Sequence, residues 1–142
     1  MPISKTLISW SCLTLFLMLP VSSEAAQTSS ISIVAGTWLN PRGTVAVKTG
    51  DCRGRLCGWV SWASEEAIQD AKESGTINLV GTELLQDYQL KGPGKWVGMV
   101  YVPDMGRRFN SNIVQMNANQ LKISGCMLGG LICKSQIWHK VA

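Results

Sequence analysis

From Gly36 onward the chain breaks into short runs of alternating apolar and polar residues divided by turn signals, a rhythm that belongs to strands. "GTWL" stops at "NPRG"; "TVAVK" and "LCGWVSW" flank "TGDCRGR". Past Thr82, "ELLQDYQLK" turns at "GPG" into "KWVGMVYV", which turns at "PDMG" into "RRFNSNIVQM". "NAN" then leads into "QLKISGC", and "MLGG" into "LICKSQIWHKV". One stretch breaks the period. "SEEAIQDAKESG" places Ser64 as N-cap, Glu65 and Glu66 in a first turn, Ala67, Ile68 and Ala71 on one stripe, and Gly75 past the end. The pattern predicts an all-β chain of about eight antiparallel strands with one short helix between strands 3 and 4. Such a meander closes naturally into an up-and-down barrel, because closure removes exposed edges.

The register follows from the turns. Centring each hairpin opposes Leu90 to Trp96, Val100 to Phe109, Ile113 to Ile123 and Leu121 to Trp138. One face then carries Leu84, Gln86, Tyr88 and Leu90, and continues through Trp96, Gly98, Val100 and Val102. It runs on through Phe109, Ser111, Ile113 and Gln115, Leu121, Ile123 and Gly125, and Lys134, Gln136 and Trp138. In the earlier hairpin Val45, Val47, Val60 and Trp62 fall together. Asp87, Arg108, Asn110, Asn112, Lys122, Ser124 and His139 take the other face, so the first face is the interior. That interior is mixed: Gln86, Tyr88, Ser111, Gln115, Lys134 and Gln136 sit among aliphatics and aromatics. Buried polar groups need partners, and two arrangements supply them. In one, a hollow barrel lined by Tyr88, Trp96, Phe109, Gln136 and Trp138, with Lys134 near the rim, holds a small apolar or amphipathic ligand. In the other the barrel is solid and its polar residues satisfy one another.

The chain upstream reads differently. Lys5 precedes the apolar run "LISWSCLTLFLMLP", and "SSEAA" offers small residues for cleavage, so residues 1–25 read as a signal peptide cut after Ala25. Residues 26–34 read as a flexible lead-in, and 35–142 as a single domain long enough to bury a core. Loss of the leader removes Cys12 and leaves Cys52, Cys57, Cys126 and Cys133, an even set that implies disulfides in an exported chain. With turns at Gly54-Arg55 and Gly129-Gly130, Cys52 faces Cys57 and Cys126 faces Cys133, which favours local pairing. The periplasm is the compartment expected. No span remains to make the processed chain an integral membrane protein.

Charge and reactive groups narrow the function classes. The formal charge is +4 without a basic run, which does not point to nucleic acid. His139 is the sole histidine and has no ligand-spaced or nucleophilic companion. The C-x4-C and C-x6-C spacings fit neither a zinc knuckle nor a redox motif. Asp51 and Asp104 lie in turns, and "GPGK" lacks the strand-loop-helix setting of a phosphate loop. Neither an enzyme nor a cofactor is expected. Trp59, Val97, Met99 and Tyr101 fall on the outer face, to be covered by the 65–74 helix or the lead-in. Left uncovered, they would let a solid barrel act on an envelope protein partner.

Two resemblances have residues to stand on. "GTW" at 36–38 resembles the Gly-x-Trp signature that opens lipocalins, with Lys140 in the place of their late basic residue. "GTWLNPRG", "CRGRLCGWVSW", "GTELLQDY", "WVGMVYVPDMGRRF" and "LKISGCMLGGLICKSQIWHK", in that order, resemble the bacterial domain-of-unknown-function family 2147. The resemblance implies a lipocalin-like barrel in the periplasm and no particular chemistry. Where that family commonly ends in Trp-x-Arg, this chain has Trp138-His139-Lys140, which keeps the charge without the planar fork.

Overall fold

Each turn signal after Gly36 becomes a connection between antiparallel neighbours in the computed structural model, which describes residues 30–142. The strands are β1 (Gly36–Leu39), β2 (Val45–Cys52), β3 (Arg55–Ala63) and β4 (Glu83–Gly92). β5 (Lys95–Val102), β6 (Arg107–Asn117), β7 (Gln120–Met127) and β8 (Ile132–Lys140) follow. Sequential neighbours pair all the way round, and β1 meets β8 through Trp38 opposite Lys140 and Leu39 opposite His139. The barrel is therefore closed, with no free edge. Antiparallel alternation puts the β2–β3, β4–β5 and β6–β7 turns at one end, the base. The β1–β2, β3–β4, β5–β6 and β7–β8 connections form the mouth.

The predicted register holds across four strand pairs: Leu90–Trp96, Val100–Phe109, Ile113–Ile123 and Leu121–Trp138 are all opposed. The helix forms where Ser64 and Gly75 bound it. α1 spans Glu65–Glu73, and the Ser64 hydroxyl accepts from Ala67 N at 3.2 Å. Ala71 is its buried residue, with Ala67 and Ile68 packed against the core. Both local disulfides, Cys52–Cys57 and Cys126–Cys133, are present.

Three local expectations are corrected. The first turn is Arg53-Gly54, not Gly54-Arg55. Both residues adopt positive φ, the twist a two-residue hairpin prefers, and Asp51 Oδ1 accepts from Gly54 N at 2.8 Å. Cys52 thus opposes Arg55 and Cys57 opposes Gly50, so this disulfide runs diagonally across 5.9 Å between Cα atoms. Trp62 is outside the barrel. Ala46 pairs Trp62 while Val47 pairs Val60, so Ser61 is an extra residue that reverses the alternation. Gln86 is also outside. Leu85 pairs Val100 and Leu90 pairs Trp96, leaving β4 one residue longer than β5 between them; Asp87 takes φ 52 at that irregularity. Gln86 then opposes Met99, and its Oε1 accepts from Arg108 Nε at 2.9 Å.

Of the lead-in, residues 26–29 fall outside the described residues, and the remainder is seen. Residues 30–34 form a helical turn, and Ile31 and Val34, three apart and so on one side, are buried in the same core as the barrel interior. Its last carbonyl, Val34 O, accepts from Trp38 Nε1 at 3.0 Å and Thr49 Oγ1 at 2.7 Å. This turn covers the base. Beside it, Lys140 Nζ lies 5.6 Å from the centre of the Trp38 ring, the position expected from the lipocalin resemblance. The signal peptide and its cleavage after Ala25 fall outside the described residues.

Candidate functional site

The barrel is filled at the base and hollow at the mouth. Trp38, Val47, Leu56, Tyr88, Trp96, Ile113 and Leu121 are fully buried and pack the lower half. Above them a row of small residues crosses the sheet in register: Gly98 opposes Ser111, Ser111 opposes Gly125, and Gly125 opposes Lys134. Removing side chains from one level of a barrel leaves space unless a neighbour leans in. At Gly98 one does: an added Cβ would come within 2.7 Å of Tyr88 Cγ, so the tyrosine ring occupies that gap. At Gly125 none does, since the nearest atom to an added Cβ is Val100 Cγ1 at 3.6 Å. There the cavity opens.

Its volume is about 360 Å³, within the range of small-molecule sites. Leu79, Leu84, Leu85, Val100, Phe109, Ile123 and Trp138 supply apolar walls. Leu84 and Leu85 both reach it because the β3–β4 register slips between Gly58 and Trp59. Ala67 and Asp70 of α1, Asn40 of the β1–β2 loop, and Met105 of the β5–β6 turn shape the entrance. That entrance is braced. Arg42 bridges to Glu66 at 3.1 Å, and the Ser74 hydroxyl donates to Asp104 O at 2.5 Å. Gly106 permits this last contact, because a Cβ there would meet Ser74 O at 2.8 Å.

Four of the six residues expected to line a ligand cavity do border this one: Phe109, Lys134, Gln136 and Trp138. Trp138 Nε1 donates to Gln136 Oε1 at 3.0 Å, which engages the amide oxygen and leaves the NH2 to donate elsewhere. Lys134 is exposed at the rim and makes no salt bridge among the described residues. Tyr88 and Trp96 lie lower, sealed in the core. The Tyr88 hydroxyl, Trp96 Nε1 and Ser111 Oγ have no hydrogen-bond partner among the described residues. Burial pushes the Tyr88 phenol well above its ordinary pKa; the nearby Ser111 side chain pulls it down only weakly, lacking hydrogen-bond geometry.

The outer apolar set is not covered by α1, which lies over the mouth instead. Val97 and Met99 stay 42% and 38% exposed, while Trp59 and Tyr101 are half-buried. Tyr101 is held by Thr76, whose Oγ1 lies 2.6 Å from its hydroxyl, and Arg108 sits 5.5 Å from its ring centre. His139 projects from the exposed side of β8. Cys52, Cys57 and Glu83 bring ligand-type atoms within 4.8 Å of one another, but both sulfurs are engaged in the disulfide. Sequence reasoning missed Leu79, Ala67, Asp70 and Met105, which sit on connections where no register applies. It had Gly98, Ser111 and Gly125 on the correct face, and their alignment was the available signal for the cavity.

Eight antiparallel strands closed on themselves, a helical turn under the base and a basic side chain against the first-strand tryptophan define a lipocalin-like barrel. A solved structure supports the class: protein HP1028 from the human pathogen Helicobacter pylori, described as belonging to the lipocalin family. It superposes with a TM-score of 0.59 at 15% identity, covering 76% of this chain and 82% of that one. The chain belongs to the family described as uncharacterized protein conserved in bacteria (DUF2147), which it matches over residues 36–140. No curated protein matches it in sequence.

Proposed function

We propose that this protein is an exported, non-enzymatic binding protein that carries a small apolar or amphipathic molecule in the mouth half of its barrel. The observation that carries this reading is the open cavity of about 360 Å³, whose apolar walls are joined by polar side chains such as Asn40, Asp70, Lys134 and Gln136. Phe109 and Trp138 would flank the cargo, the Gln136 amide would orient a polar atom, and Lys134 would meet an anionic head group at the rim. Tyr88 and Trp96 would form the floor that limits its length. Export to the periplasm is supported by the pairing of all four cysteines outside the leader. The signal peptide over residues 1–25 is part of the proposal, and N-terminal sequencing of the protein recovered from the periplasm tests it directly.

Native mass spectrometry of the protein purified from the periplasm without denaturation tests the cargo. A discrete added mass that leaves on activation is expected. A bare chain that also fails to take up any apolar dye would sink the carrier reading. The exposed Val97 and Met99 favour a second reading, in which the outer sheet face docks an envelope protein. Charge substitutions at those two positions would then abolish capture of that partner and leave dye uptake unchanged.

A further inference from the structure

The ring of side chains around the mouth is uneven. On the α1 side it is acidic, with Glu65, Glu66, Asp70 and Glu73 against Lys72 on the helix and Arg42 already paired to Glu66. Across the mouth stand the β5–β6 turn and the β7–β8 loop, on either side of β6 and β7. Their tips carry Met105, Leu128, Leu131 and Ile132, exposed by 47%, 70%, 86% and 44%. An isolated exposed leucine is ordinary, but four large apolar side chains on neighbouring tips are not. The loop is built to hold this display. Leu128 adopts φ 52, a region that non-glycine residues enter at a cost, followed by Gly129 and Gly130, also at positive φ. The Cys126–Cys133 disulfide clamps its base. On these two connections and their strand ends, the cations Arg107 and Lys134 outnumber a single acid, Asp104.

We propose that this rim docks on an anionic lipid bilayer, with Met105, Leu128, Leu131 and Ile132 entering the headgroup region and Arg107 and Lys134 meeting the phosphates. Two features select lipid as the occupant. The apolar surface is four side chains on two tips, whereas a stable protein interface engages about 20–30 residues a side. Interleaved cations complement an anionic surface, as in other interfacial anchors. The acidic α1 side is repelled, so the barrel tilts onto the β7–β8 loop. Docked this way, the cavity entrance faces the bilayer, since Met105 and Met127 line both rim and cavity. The docking rests on the rim side chains alone, so it stands or falls separately from cargo binding.

The test uses vesicles of phosphatidylcholine, alone or mixed in equal parts with phosphatidylglycerol. The tryptophan emission that Leu131→Trp adds over wild type should shift to the blue and be quenched by brominated lipid on the anionic vesicles. Subtracting the wild-type spectrum removes the signal of its own tryptophans, Trp10 of a retained leader included, so the added emission reports the tip alone. Co-flotation of the Leu128→Ser/Leu131→Ser variant should fall by on the order of ten-fold or more. Arg107→Gln should weaken binding about five-fold and reduce its sensitivity to salt. Unchanged melting temperature and mass will show that each variant is folded with both disulfides intact. No blue shift in the emission that Leu131→Trp adds over wild type, or equal flotation of wild type and the double serine variant, overturns the proposal.

Discussion

Substituting leucine for Gly125 should leave the barrel folded and blind to cargo. Gly125 lies in β7 with an ordinary extended backbone, and a Cβ there would touch Val100 Cγ1 at 3.6 Å and Asn110 O at 4.0 Å, both normal contacts. The rest of the side chain would extend into the cavity. Four carbons, each taking roughly the 30 Å³ of a water, remove on the order of 120 Å³ from about 360 Å³. A cargo that loses room for about four methylenes loses roughly 3 kcal/mol of burial, or about two orders of magnitude in Kd. Stability should hold or rise, because glycine weakens a strand interior. The same row supplies the control. At Gly98 a single added methyl would lie 2.7 Å from both Tyr88 Cγ and Gln86 O, so Gly98→Ala should cost about 1–3 kcal/mol by overpacking. Titration with an anilinonaphthalene sulfonate dye reads the cavity, and urea unfolding followed by tryptophan fluorescence reads stability. Wild-type dye affinity in Gly125→Leu would show that cargo does not occupy this space. An undiminished urea midpoint in Gly98→Ala would show that Tyr88 does not fill the gap above that residue.

Three further outcomes are expected. Thr49→Val removes the donor to Val34 O and should cost about 1–2 kcal/mol, with faster hydrogen exchange at the Ala35 amide that closes the turn onto Ile31 O. Replacing either cysteine pair by serines should lower stability by about 2 kcal/mol, because both loops are short; urea midpoints measured for each pair separately check this. The Tyr88 phenol, raised by burial, should keep its proton in the folded protein at alkaline pH. Below about pH 10 it is protonated folded and unfolded, and contributes no pH dependence. Above that, the unfolded chain releases the proton while the folded one retains it, so stability should fall by up to about 1.4 kcal/mol per pH unit. Tyr88→Phe should flatten that fall; an unchanged slope would place the phenol in contact with solvent.

Much of this protein is local in origin and so readable from the chain. Strands β4 to β8 are joined by tight turns, and a tight turn sets the register of everything beyond it. That is why Leu90–Trp96 and Leu121–Trp138 could be paired by counting. The helix declared itself through Ser64, and the disulfides through proximity to their turns. What tertiary structure decided lies where one residue more or less reverses a face. The extra residues at Ser61 and near Asp87 sent Trp62 and Gln86 outward, and a local pattern gives no warning of an insertion accommodated by the partner strand. The helical turn at 30–34 has no helical signal of its own; it forms because the barrel base takes Ile31 and Val34, and Trp38 and Thr49 cap its carbonyl. The cavity belongs to tertiary structure as well. Gly98 and Gly125 are the same residue in the same row, and only the reach of the Tyr88 ring made one gap filled and the other empty.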